Sequence, residues 1–147
     1  MAETIGLTLA EISRLIRRRF DARAREIGVT RAQWHTLMIV ARHEGLNQGG
    51  IAELMEIEPI TACRMIDRLE DAGLVERRRD PNDRRAWRIF LKEEARPLLE
   101  QLRAIGERLS QETLTGLSPE QLDALVEGLT IIRANLTNND DNEAANG

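Results

Sequence analysis

Residues 59–91 read Pro-Ile-Thr-Ala-Cys-Arg-Met-Ile-Asp-Arg-Leu-Glu-Asp-Ala-Gly-Leu-Val-Glu-Arg-Arg-Arg-Asp-Pro-Asn-Asp-Arg-Arg-Ala-Trp-Arg-Ile-Phe-Leu. Pro59 suits the first position of a helix, because its missing N–H would be unpaired there anyway. Ile60, Met65, Ile66 and Leu69 give that helix apolar contacts, and Gly73 supplies a left-handed stop. Leu74 to Arg79 and Trp87 to Leu91 alternate and carry β-branched or aromatic residues, which predicts two short strands. Asp80-Pro81-Asn82-Asp83 between them is turn chemistry, and it leaves Arg84 and Arg85 at the hairpin tip.

The flanking sequence is helical. Ile5, Leu9, Ile12, Leu15, Ile16 and Phe20 recur at steps of three and four, giving a long amphipathic helix that stops near Gly28. Thr30 with Gln33 forms a capping box for a second helix, whose apolar side holds Trp34, Leu37, Met38 and Val40. Asn47 opens a short third helix with Ile51, Leu54 and Met55. Gly49 and Gly50 in its first turn cost about 1 kcal/mol each relative to alanine, so its start should be soft. The third and fourth helices, joined by Glu56-Ile57-Glu58, make a helix-turn-helix. After Lys92, Leu98, Leu99, Leu102, Ile105 and Leu109 line one stripe. Ser118-Pro119-Glu120-Gln121 then starts a last helix that carries Leu122, Leu125, Val126, Leu129, Ile132 and Leu136.

The expected fold is therefore mostly α with a small β wing, a winged helix-turn-helix over residues 30–92. Residues 1–29 supply an N-terminal helix and 93–136 supply C-terminal helices. The tail, 137–147, has no apolar residue larger than alanine and is expected to be disordered. The first helix and the last two carry apolar stripes that a chain of 147 residues cannot easily cover. They should form a dimerisation lobe with a second copy. Two-fold symmetry would then set two reading heads one turn of duplex apart, roughly 34–36 Å.

Charge supports the same direction. The net formal charge is −4, yet Ile60–Lys92 holds nine basic and six acidic residues, a net of +3. The remainder holds 12 basic and 19 acidic residues, a net of −7. A polyanion responds to the local field, which salt screens within about 8–10 Å. Of the 21 basic residues, 20 are arginine, the side chain whose planar fork fits guanine edges and phosphates. A helix followed by a basic hairpin is how a chain places one element in a major groove and another against the adjacent minor groove.

Other chemistry is poorly served. The single cysteine, Cys63, excludes an internal disulfide and a multi-cysteine zinc site and fits a reducing cytoplasm. The N-terminus lacks a basic, cleavable leader pattern, and no apolar run reaches membrane length. His35 and His43 stand eight apart without a metalloprotease glutamate, and Gly49-Gly50 lacks the lysine of a phosphate loop. Glu93 and Glu94 sit at a helix start, where the dipole accounts for them. No enzyme activity, metal or cofactor is expected.

Asp67-Arg68-Leu69-Glu70-Asp71-Ala72-Gly73-Leu74-Val75-Glu76-Arg77, followed by Asp80-Pro81-Asn82-Asp83-Arg84-Arg85, resembles the MarR family of bacterial and archaeal transcriptional regulators. The resemblance extends from about Leu9 to Leu136. It implies a triangular winged-helix homodimer on a pseudo-palindromic operator in double-stranded DNA, usually a repressor. It often implies release by a small aromatic, phenolic or anionic effector bound between the lobes. By position, Asp83 would orient Arg85, whose guanidinium enters the minor groove, and Arg84 would reach phosphate. Thr61, Ala62, Arg64 and Met65 occupy base-facing positions, with Arg68 one turn further along. Two features depart from the pattern: Lys92 stands where many members cap the next helix with threonine, and the first helix lacks a peroxide-sensing cysteine.

Several residues carry competing readings. Cys63 within the fourth helix reads better as a small packing residue than as an oxidation switch. Arg17, Arg18 and Arg19 form a charge run, ordinarily a solvated face, although Arg17 could meet a ligand carboxylate. Trp34 and His35 would suit an aromatic acid, against core packing for Trp34 and a surface position for His35. For the whole chain, the alternative to a DNA reader is a winged-helix protein–protein interaction module without DNA binding.

Overall fold

The structure, a computed structural model, describes residues 1–145; for Ala2 and for 138–145 only the backbone is described. The elements run α1 (Ala2–Glu26), α2 (Arg31–Arg42), α3 (Gln48–Met55), α4 (Pro59–Asp71), β1 (Val75–Arg79), β2 (Trp87–Leu91), a 3-10 turn (Glu93–Ala95), α5 (Arg96–Thr113) and α6 (Pro119–Ala145). They fall into two units, Met1–Leu109 and the segment from Ser110 onward.

In the first unit, the helix ends are set by local chemistry. Gly28 lies at φ 78°, and the Val29 N–H reaches back to the Ala24 carbonyl at 2.9 Å, which closes α1. The Thr30 hydroxyl accepts from the Gln33 N–H, while Gln33 Oε1 accepts from the Thr30 N–H at 2.9 Å. Asn47 caps α3 by accepting from the Gly50 N–H at 2.7 Å. Gly50, expected to soften that start, has a packing reason to be there: a Cβ would stand 2.6 Å from Leu46 Cδ1. The αL stop of α4 is Gly73, at φ 75°.

β1 and β2 pair antiparallel, Val75 opposite Leu91 and Arg79 opposite Trp87. Leu74, expected in the first strand, instead donates its N–H to Leu69 O, closing α4, while its own carbonyl accepts from the Lys92 N–H. A third edge was not foreseen. Gly45 N–H bonds Ile89 O at 2.8 Å, Ile89 N–H bonds Leu46 O at 3.0 Å, and Asn47 bridges Arg88. This segment is too short to show any hydrophobic period. Leu37, Val40, Ile51, Ile66, Leu69, Val75, Ile89 and Leu102 form the core, which joins the helix-turn-helix, the wing and α5. α1 is covered less well, since Ile5, Leu7, Ile12, Leu15 and Ile16 remain exposed.

In the second unit, Gly116 adopts φ 92° and Ser118 with Gln121 forms the expected capping box. α6 leaves Leu125, Val126, Leu129, Ile131, Ile132 and Leu136 in solvent. It also continues through Ala145, where a disordered tail was expected from residue 137. Sequence beyond Gly128 contains no glycine or proline until Gly147, and asparagine and aspartate each cost well under about 1 kcal/mol inside a helix, so nothing there stops one. Asn146 and Gly147 lie outside the described residues. Among the described residues, no helix is long and apolar enough to cross a membrane.

Candidate nucleic-acid interface

α4 buries Ala62, Ile66 and Leu69, at steps of four and three, against the core. A helix advances about 100° per residue, so the outward ridge is set by Ile60, Arg64 and Asp71, with Thr61 and Arg68 along one flank and Asp67 along the other. Thr61, Arg64 and Arg68 are exposed, as a groove-reading role requires. Ala62 and Met65 are not so placed. Ala62 is fully buried, and the Met65 sulfur faces α2, 3.5 Å from the Thr36 hydroxyl. Both expectations are corrected, because the helix spends that face on its own core.

The wing tip is braced by its acids. Asp80 Oδ1 accepts from the Asn82 N–H at 2.8 Å, and Asp83 Oδ1 accepts from the Arg85 N–H at 2.9 Å. Each is a side chain closing a turn on the backbone two residues ahead. Asp83 therefore touches Arg85 through the main-chain N–H, which leaves the guanidinium free of it. Arg79 donates to Arg84 O at 2.8 Å and lies over the Trp87 ring, 4.5 Å from its centre. Arg84 and Arg85 are exposed, and their guanidinium groups make no ion pair among the described residues.

Between ridge and wing sits Arg77, for which the sequence leaves open a DNA-facing position or a pairing with Glu76 or Asp80. Its Nη2 meets Asp67 at 2.6 Å and Nη1 meets Glu70 at 2.9 Å. Nε donates to Gln48 at 2.6 Å, and Nη2 also reaches the Cys63 carbonyl at 3.2 Å. The side chain is only 13% exposed. Burial by itself lowers the guanidinium pKa, but hydrogen bonds and charge from Asp67 and Glu70 outweigh it and raise the pKa overall. One cation thus ties α3, α4 and β1 together. Its neighbours do other work: Arg78 pairs with Glu76 and lies over Phe90, and Arg88 donates to Gly45 O at 2.8 Å. At the end of the wing, Lys92 precedes the 3-10 turn without a side-chain cap, as its departure from threonine predicts.

On the far side of α2, Arg17, Trp34 and His35 line one open groove of about 700 Å3, joined there by Arg31, Leu54 and Met65. The Trp34 indole N–H is already committed to Asp21 at 2.8 Å, and its ring lies 4.6 Å from that of Phe20. Trp34 is therefore half-buried packing that offers a ring edge rather than a donor. Burial holds the His35 pKa below its ordinary value, Arg31 and Arg17 push the same way, and Asp21 opposes them. A second cleft, of about 520 Å3, brings Phe20 and Met38 together with Arg42, Leu99 and Arg103. No sequence period pointed to it, because its walls are distant in the chain.

Comparison with known proteins agrees with this geometry. The MarR family profile matches residues 29–87. A solved transcriptional regulator, PA3341, is 34% identical over 91% of this chain and 98% of its own, with a TM-score of 0.77. A MarR transcriptional regulator from Methanosarcina mazei Go1 is 26% identical over 92% of this chain and 98% of its own, with a TM-score of 0.80. A MarR-family regulator from Rhodococcus sp. RHA1 is 25% identical over 90% of this chain and 94% of its own, at a TM-score of 0.73.

Arg77→Met keeps the apolar stem but strands Asp67 and Glu70, and it should cost about 1–3 kcal/mol in urea unfolding. An unchanged midpoint would show that the clamp is ornamental. For His35, a folded pKa below the unfolded value of 6.5 means the unfolded chain binds the proton first. Its contribution is present above that pH and is lost as pH falls through it. Urea titrations at pH 7 and pH 5 should show wild type losing more stability than His35→Gln over that window; equal losses would remove His35 from the account.

Proposed function

This chain belongs to the MarR family of transcriptional regulators, and from that premise we propose that it acts as a homodimer on a pseudo-palindromic DNA operator, as a repressor. The observation that carries the reading is the placement of four exposed arginines, Arg64 and Arg68 on α4 and Arg84 and Arg85 on the wing, on an otherwise acidic chain. Arg64 can offer both forks to a guanine in the major groove. Arg85, held out by a braced tip, suits the narrow minor groove of A·T-rich duplex. A protein-docking module would be favoured by an apolar or acidic recognition face, and these four arginines point the other way.

Dimerisation is supported by apolar side chains that a single chain leaves in water. Ile5, Ile12, Leu15 and Ile16 on α1 and Leu125, Leu129, Ile132 and Leu136 on α6 all recur at helical spacing. At about 25 cal/mol per Å2 of apolar area, withdrawing such stripes from water is ample to drive association. A symmetric partner offers the matching surface.

Release by a small effector is favoured by one further observation, the convergence of Arg17, Arg31 and His35 beside an aromatic ring in one groove. A carboxylate attached to a ring would meet the Arg17 and Arg31 guanidinium groups, with Trp34 beside the ring and Glu56 on the same wall.

If about eight phosphates are neutralised per dimer, log affinity should fall with log salt at a slope near −7. Arg85→Ala should lose most operator affinity in gel-shift titrations yet still sediment as a dimer. Salt-indifferent binding, or an Arg85→Ala protein that binds like wild type, would favour the protein-docking alternative. For the effector, a phenolic carboxylate should raise the melting temperature of the wild type and weaken operator binding, and Arg17→Ala should blunt both. A benzoate series that moves neither quantity would leave a constitutive binder.

A further inference from the structure

Among the described residues, α4 exposes one large apolar side chain, Ile60, which is 60% accessible. It stands in the first turn of the helix, directly opposite the buried Ala62, Ile66 and Leu69, with Arg64 one turn on along the same ridge. Isolated exposed isoleucines are ordinary on protein surfaces. This one is distinguished by company and position. It is the single apolar group on a face otherwise made of Thr61, Arg64, Asp67, Arg68 and Asp71, at the end of the helix that meets base edges in helix-turn-helix readers. Of the two acids on this face, Asp67 on the flank is paired with Arg77 at 2.6 Å, and Asp71 lies on the ridge about three turns from Ile60.

On the reading that α4 enters the major groove, we propose that Ile60 is a specificity-determining residue that packs on the C5-methyl of a thymine. Arg64 reads a guanine beside it. Thymine is the base that presents a methyl group in that groove, and an aliphatic side chain recognises it by excluding water, with no hydrogen bond required. Four residues of helix rise about 6 Å, against about 3.4 Å per base step along a strand. The thymine and the guanine should therefore lie within about two base pairs of each other in each half-site.

The test removes one methyl at a time. The operator is first selected from a random duplex library with the full-length dimer, and each thymine is then replaced singly by uracil. One thymine per half-site should show a penalty of about fourfold in affinity, the worth of one buried methyl-sized group. Ile60→Ala should bind the intact operator correspondingly less tightly and show no penalty at that position, while its melting temperature stays that of the wild type. A uracil penalty that persists undiminished in Ile60→Ala, or enrichment of a clear site in which no thymine methyl matters, would overturn the proposal alone. Failure of the library to enrich any sequence would overturn it together with the DNA-binding reading on which it rests.

Discussion

The guanidinium of Arg77 is where the two reading elements of this protein meet. A wing of two strands is too small to hold itself in place, and a recognition helix must present one face at a fixed angle to its neighbour. Arg77 links them by directed bonds, to Asp67 and Glu70 on α4 and to Gln48 on α3, from a backbone position within β1. An apolar contact could also have joined these elements, but it would have tolerated rotation. A planar fork with carboxylates on two of its edges tolerates very little. With both acids paired to Arg77, the positive charge of the outward surface is carried by Arg64, Arg68, Arg84 and Arg85, against Asp71 on the ridge.

The arginines divide between structure and recognition by their local partners rather than by their spacing in sequence. Arg78 and Arg79 lie over Phe90 and Trp87, which holds their stems flat along the hairpin. Arg88 spends its donor on a carbonyl of the Gly45 turn. The tip arginines have no such commitments and sit on a backbone fixed by Asp80 and Asp83. Prior fixing of that backbone lowers the conformational entropy lost on engaging a ligand.

Much of the fold could be read from single residues whose effect is local. Gly28, Thr30 with Gln33, Gly73 and Ser118 with Gln121 act within one turn of helix, and each boundary they imply is present. What escaped reading depends on distance. The Gly45–Asn47 edge exists only because β2 folds against it, and the Arg77 clamp spans up to 29 residues to Gln48. The misplacement of Ala62 and Met65 has the same origin, since a helical period gives faces but not which face the core will take. In α6, which runs to Ala145, the lack of any helix stop prevails over a polar composition.

The small sheet has one further property, which concerns the company it keeps in a crowded solution. Its β2 flank is shut by the bridge at Asn47 and by the bond from Arg88 to Gly45, and on the β1 flank the Arg77 N–H donates to Glu70 Oε2 at 3.1 Å. Beyond Arg77, β1 continues with Arg78 and Arg79 toward the wing tip. A second molecule attempting to extend the sheet would find part of the β1 backbone already bonded to Glu70, and charged side chains along an edge are a known deterrent to strand addition. Both flanks of the hairpin thus offer little free backbone to a passing strand.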